Sequence, residues 1–276
     1  GAHTDALSRA CAAGLDVLLV RWPVARAARD EWGLEALRSL VLAATSLSHT
    51  GRDVPLLAPR LDLSAGPGLQ ADLDLTQQAQ SELVYGALFD FCQLVPPQFR
   101  AQLTDGPRGV VLVDLGDAPD PVRLSPDFLR YLEQRCLGDF GLDILWLGSA
   151  LWARRGLPLD AVRTIDGGAP VYTNGAERVT IGVLRPGLDE SRTGGQVVTR
   201  RGFEELSHSF DAILAAEPDW LLLDSWNDLR RGTEVMVTRE RGADYERRAA
   251  ILAAQFVNHR EAPVVARVRR LEAPNR

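Results

Sequence analysis

The chain reads as an α/β protein of the (β/α)8 TIM-like barrel type, one strand short of eight. Three observations predict this. Short runs rich in Val, Leu and Ile alternate with helix-period segments, the sequence form of βα units feeding a parallel sheet. Those runs are continuously apolar and do not alternate with polar residues, as expected of parallel strands covered on both faces. The length, 276 residues and 30.2 kDa, suits one large barrel or two small domains, and the run of βα units favours a single barrel domain over residues 1–276.

Taken in order, a helical pattern over Thr4–Ala13 precedes the first strand, Asp16–Trp22 (DVLLVRW). Glu31–Ser48 repeats apolar residues at helical spacing, and Val54–Ala58 is the second strand. Leu63–Leu73, with Gly66, Pro67 and Gly68, is a long loop, and Thr76–Leu94 is helical. Gly109–Asp114 (GVVLVD) is the third strand. Ser125-Pro126-Asp127 is a helix start, Ser as N-cap and Pro at the first helical position, for a helix to Cys136. Strands Leu142–Leu147, Ala161–Ile165, Val179–Leu184 and Trp220–Asp224 follow, with helices over Gly202–Ala216 and Ala243–Asn258. The missing strand either precedes Thr4 or is supplied by Pro263–Val268, so residues 260–276 read as an extra strand or the start of a following segment. A doubly wound sheet is disfavoured. Its first strand needs a Gly-rich phosphate turn, whereas this one runs into Arg21-Trp22-Pro23 and the chain holds no GxGxxG.

Composition narrows the function. Hydrophobic residues are 46% and charged residues 25%, so the chain can bury a sizeable core. All 31 basic residues are Arg, a bias of base composition; without Lys, Schiff-base chemistry is excluded. A net charge of −6 and a pI near 5.3 argue against nucleic acid as a partner. Cys11, Cys92 and Cys136 form no CxxC and read as buried thiols, and the four His show no ligand spacing, so neither metal nor cofactor is expected. No apolar run is long enough for membrane insertion. Residues 1–20 do not read as a signal peptide, so an exported form has already lost it.

In a barrel the reactive groups sit where strands end and βα loops begin. Those positions hold Arg21 and Trp22; Arg60 and Asp62; Asp114 and Asp117; Trp146; Asp166; then Arg185, Asp189, Glu190 and Arg192. The last strand ends in the densest cluster, Asp224-Ser225-Trp226-Asn227-Asp228, continuing to Arg231, Thr233 and Glu234. Carboxylates for proton transfer, planar donors for hydroxyls and indole faces for sugar rings are what a carbohydrate site needs.

The segment Pro218–Tyr245 (PDWLLLDSWNDLRRGTEVMVTRERGADY) resembles the last-strand signature of bacterial proteins related to glycoside hydrolase families 99 and 71. That signature is a buried strand, then Trp/Phe-Asn-Glu-aromatic-x-Glu-Gly-Thr, then an acidic-Tyr tail. Val179–Arg192 (VTIGVLRPGLDESR) with the downstream Arg201-Gly202-Phe203 is similar to the preceding strand of the same proteins, and Ala12–Leu19 to their second strand. The resemblance implies a retaining, endo-acting hydrolase of α-linked glycans such as α-mannans, its two catalytic carboxylates three residues apart. Carried over by position, Asn227 matches the Asn, Asp228 stands at the first Glu and Arg231 at the second. Asp228 keeps the carboxylate on a stem one methylene shorter. Arg231 removes the second acid, since a guanidinium does not deprotonate in a protein, although it suits an anionic sugar.

Three readings follow. The domain is a hydrolase of an α-linked, anionic polysaccharide, with Asp228 as catalytic carboxylate and a second acid from Asp62, Asp114, Asp189, Glu190 or Glu234; Glu234 and Asp114 lead that set. Trp22, Asp62, Trp146, Asp189, Glu190, Arg192, Trp226, Asn227 and Arg231 are then the substrate-binding residues. Alternatively, it is a degenerate barrel that binds polysaccharide or scaffolds a neighbouring domain without cleaving anything. In the third reading Trp226, Asn227 and Glu234 only close the barrel mouth. A polysaccharide partner points to the cell envelope or the exterior.

Overall fold

The computed structural model describes residues 1–26, 29–63, 73–103, 109–117, 122–125, 127–164, 168–169, 179–191, 197–229 and 231–259. The chain divides into two compact units, Gly1–Cys11 with Leu15–Asp160, and Ala12–Gly14 with Ala161–Arg276.

The first unit opens with α1 (Ala2–Ala12) and β1 (Val17–Pro23), a π-helical turn at Arg29–Gly33, and α2 (Leu34–His49). Next come β2 (Leu56–Asp62), β3 (Leu73–Leu75), α3 (Gln78–Leu94), a 3-10 turn at Pro97–Phe99, β4 (Gln102–Leu103) and β5 (Gly109–Asp114). It ends with β6 (Val122–Leu124), α4 (Phe128–Phe140), β7 (Leu142–Ser149) and α5 (Ala150–Arg154). β1, β2, β5 and β7 form a parallel ladder in that order, with β4 antiparallel on β5 and β3 paired to β6 apart from it.

The second unit carries β8 (Ala161–Arg163), β9 (Val179–Leu184), the antiparallel pair β10 (Leu188–Asp189) and β11 (Val197–Val198), α6 (Glu204–Ala215), β12 (Trp220–Leu223) and α7 (Asp244–His259). β8, β9 and β12 are parallel in that order.

Helices form where the apolar period supplies one stripe. In α7 the buried residues are Tyr245, Ala249, Leu252 and Phe256, spaced by four, three and four. They join Leu206, Phe210 and Ile213 of α6, Leu184 of β9 and Val235 in the second unit's core. Burying a Leu, Ile or Phe side chain of this kind contributes roughly 1.5–3 kcal/mol. Gly182 of β9 lets α6 approach closely: a Cβ there would lie 2.4 Å from Ile213 Cγ2.

All seven expected strands are present, Gly109–Asp114 and Val179–Leu184 with the expected ends and the other five with an end shifted. The second runs on through Pro59 to Asp62, because Pro59 lies within a strand that β5 meets only at Arg60–Asp114. The helix expected from Glu31 opens as the π turn. The helix expected from Ser125 begins at Phe128, the Asp127 amide donating to Ser125 Oγ at 3.2 Å. The short helix α5 and strands β3, β4, β6, β10 and β11 are too brief for a periodic signal. Residues 64–72, Ile165 and the candidate strand Pro263–Val268 lie outside the described residues.

Candidate functional site

In the first unit the strand-end carboxylates are matched by guanidiniums. Arg21 Nε and Nη2 reach Asp62 Oδ2 at 2.8 and 2.6 Å. Asp114, fully buried at the end of β5, accepts a hydrogen bond from the Gly116 amide at 2.8 Å and faces Arg60 Nε at 3.6 Å. Arg60 Nη2 also holds Asp117 at 3.1 Å. Gly116 has φ +68°, and a Cβ there would meet Leu61 O at 2.4 Å, so only glycine fits this turn.

The two indoles named from this unit are core side chains. Trp22 is 1% exposed, packs edge-on against Phe91 and donates Nε1–H to Ala87 O at 2.6 Å. Trp146 is equally buried and donates to Glu133 at 2.8 Å. Burial pushes the Glu133 carboxyl up, while the indole hydrogen bond pulls the other way. Strand ends in a both-faces-buried sheet alternate between rim and core, and the sequence does not show which side each indole takes.

The second unit gathers most of the remaining candidates around the loop after β12. Asp224, where the strand ends, is buried and ion-paired with Arg185, whose Nε donates to Oδ2 at 3.0 Å. The Asp224–Ser225 peptide is cis. The loop then closes on itself. The Ser225 amide donates to Thr233 O at 3.1 Å, their hydroxyls lie 2.8 Å apart, and Ser225 Oγ accepts from the Asp228 amide at 2.9 Å. Trp226 O accepts from the amides of Val235 and Met236. Trp226 packs half-buried against the unit's apolar core. Asn227 is exposed, and Asp228 is half-buried with Oδ1 accepting from the Arg231 amide at 3.2 Å.

Arg231 is committed to a neighbouring loop. Its Nε and Nη2 hold Glu190 Oε1 at 2.8 and 2.7 Å, and its carbonyl accepts from the Asp189 amide at 2.7 Å. Asp189 is exposed and its Oδ1 accepts from the Ser191 amide and hydroxyl. Glu234, 4% exposed, lies between Arg200 Nη2 at 3.0 Å and Arg241 Nε at 3.1 Å. Asp166 and Arg192 lie outside the described residues.

Three residues of this framework escaped sequence reasoning. Arg200, 8% exposed, donates to Gly232 O at 2.7 Å, and its guanidinium stacks on the Tyr245 ring at 4.6 Å. Burial lowers its pKa from the ordinary guanidinium value and Glu234 opposes that shift. The resemblance pointed one residue further on, to Arg201, which is exposed with φ +42°. Arg241 and Tyr245 complete the cluster, Tyr245 donating to Gly202 O at 2.6 Å. A signal for Arg200 exists at Gly187: a Cβ there would meet Arg200 Cγ at 2.5 Å, so Pro186-Gly187 is the slot for its stem.

The unit's ion pairing is chemically selective. Asp224, Glu190 and Glu234 each face a guanidinium. Within Asp224–Glu234, Asp228 is the carboxylate that has no ion pair among the described residues. Among the described residues no three His, Cys, Asp or Glu side chains assemble as a metal-ligand set, and no helix is long and apolar enough to cross a membrane.

No family model matches the chain, and no curated protein sequence does. Solved structures do. The GH99 endo-α-mannosidase from Bacteroides thetaiotaomicron aligns with a TM-score of 0.60 at 14% identity, over 95% of this chain and 81% of that one. The same enzyme in complex with Bis-Tris propane aligns at 0.60 and 13% identity, over 95% and 86%. At these identities the likeness shows the fold alone: the chain has a GH99-like α/β barrel fold.

Proposed function

We propose that the domain recognises an α-linked polysaccharide through the loop after β12 and holds it without cleaving it. One observation carries this reading. The position where the family resemblance calls for a second acid is Arg231, whose guanidinium is bound to Glu190, so the stretch Asp224–Glu234 offers one carboxylate without an ion pair among the described residues, Asp228. Retaining hydrolysis needs two carboxylates, one to attack or assist and one to donate a proton. A binding site needs only acceptors and donors in fixed places. The loop's internal bonds among Ser225, Asp228, Thr233 and Val235 hold Asp228 and Asn227 in position before a ligand arrives. Asp189, Glu190 and Arg231 border the same loop and are assigned to the hydroxyls beside it; the half-buried Trp226 ring supplies the apolar face.

A second reading, an endo-acting retaining hydrolase with Asp228 as catalytic carboxylate, is favoured by that same lack of an ion pair at Asp228 among the described residues. Glu234 and Asp114 are its candidate second acids. The two readings separate in one experiment. Retention and reducing-end release are measured over α-mannan, α-glucans and acidic α-linked polymers. Recognition predicts binding without release, weakened about 10–100-fold in Asp228→Ala through the lost charged hydrogen bonds. Reducing ends that appear with the wild type and vanish in Asp228→Asn would establish the hydrolase reading instead, and a protein that neither binds nor cleaves any of these glycans refutes both.

A further inference from the structure

Of the chain's six tryptophans, five are buried or half-buried and one is presented to solvent: Trp32, 49% exposed. It stands in the π turn Arg29–Gly33 that follows β1, on a connection leading away from a strand's C-terminal end, where barrels build their sites. The turn is pinned from beneath. Arg29, 4% exposed, donates from Nε to Asp90 of α3 at 3.0 Å and from Nη1 to Pro23 O at 3.4 Å, and also to Val24 O. Its amide donates to Ala25 O at 3.1 Å. A Cβ at Gly86 would lie 3.7 Å from Arg29 Nη2, so α3 leaves space for the guanidinium. Beyond the indole, Gly33 is buried and α2 begins.

A buried arginine is an expensive way to hold an ordinary surface loop, because its desolvation must be offset by several bonds. Here it fixes the backbone on which a large apolar ring is left half in water. A protein-docking anchor would be expected at the centre of an apolar patch. Trp32 is instead flanked by the exposed charges Arg26, Asp30 and Glu31, with Arg26 and Asp30 3.6 Å apart. An exposed indole face with carboxylates nearby in sequence matches a sugar ring, whose axial C–H groups lie on the ring while its hydroxyls donate to acids.

We propose that Trp32 is the stacking platform of a separate subsite for a neutral pyranose, with Asp30 and Glu31 accepting hydrogen bonds from its hydroxyls; this rests on the polysaccharide reading above. Glu31, exposed and without an ion pair among the described residues, disfavours a uronate or sulfate there, which sets the neutral ring as the class bound.

The test is native electrophoresis of the whole chain through gels holding α-mannan, an α-glucan or polygalacturonate. Trp32→Ala is expected to weaken retention by a neutral polymer about tenfold. Trp32→Tyr, which keeps an aromatic face, stays near the wild type, and Leu42→Ala, another exposed apolar residue on α2, is unchanged. Retention of Trp32→Ala equal to wild type, while Asp228→Ala is weakened, overturns the platform and leaves the polysaccharide reading standing. A loss in Trp32→Ala that is matched by Leu42→Ala, or that occurs only on polygalacturonate, overturns it too. A wild type retained by none of the three overturns both.

Discussion

Glu234 follows Gly232 and Thr233, where the family resemblance puts its Gly-Thr, and reads from sequence as a rim acid. Its environment is that of an anchor. Both oxygens face guanidiniums, Arg200 and Arg241, and it is nearly fully buried. Removing one partner of such a pair leaves the other charge buried without compensation, which costs about 3–5 kcal/mol. Glu234→Gln is therefore expected to lower unfolding free energy by that order in urea titration, and Arg241→Ala by less, since Arg241 is the more exposed of the two cations. An unchanged urea midpoint for Glu234→Gln would show that the network does not hold the loop. Arg231 carries the opposite lesson: a charge that reads as a ligand contact is already bound to Glu190.

At the scale of elements, the strands were legible because each carries a run rich in Val, Leu, Ile or Ala, and the helices because each shows one stripe. Their ends were not, because capping and pairing depend on neighbours. Gly182 illustrates contact between elements that no periodicity shows. β9 and α6 pack so closely that a methyl group at this position overlaps Ile213. Gly182→Ala is expected to destabilise by about 1–3 kcal/mol, the usual cost of overpacking. Adding Ile213→Ala removes the clashing atoms and trades it for a cavity, so the double variant should fall short of additivity by a measurable coupling. Strict additivity of the two in thermal or urea unfolding would contradict the packing described.

At the scale of the molecule, pH connects buried groups to stability. Cys92 on α3 and Cys136 on α4 are buried, and burial pushes their thiols from an ordinary 9.0 up to about 11 and about 12. Tyr85 is likewise held above its ordinary value by burial and by its hydrogen bond to Asp139. For an acid whose folded pKa is raised, the unfolded chain loses its proton first, so stability is intact below the unfolded pKa and declines as pH rises toward the folded one. Stability is therefore expected to hold up to pH 9 and fall between pH 9 and about 11. Urea midpoints across that range check it, and the slope should lessen in Cys92→Ala combined with Cys136→Ala. Below pH 9 alkylation should reach the half-buried Cys11 well before the other two; a flat stability profile would refute the account.

Local periodicity alone carries the class of the protein: seven parallel strands rich in apolar residues, six of the helices between and around them, and the cluster at the end of the last strand, since a sheet flanked by helices and a helix stripe are both written in the spacing of apolar residues. The sequence also carried the departure at Arg231. Only the tertiary structure decided which strand-end residues face a rim and which face the core, because a one-residue difference in strand phase reverses every side chain. It alone paired Arg185 with Asp224, Arg231 with Glu190 and Arg200 with Glu234, and exposed Trp32 while burying Trp22 and Trp146. Charge compensation acts through space between residues tens of positions apart, and no local pattern encodes it.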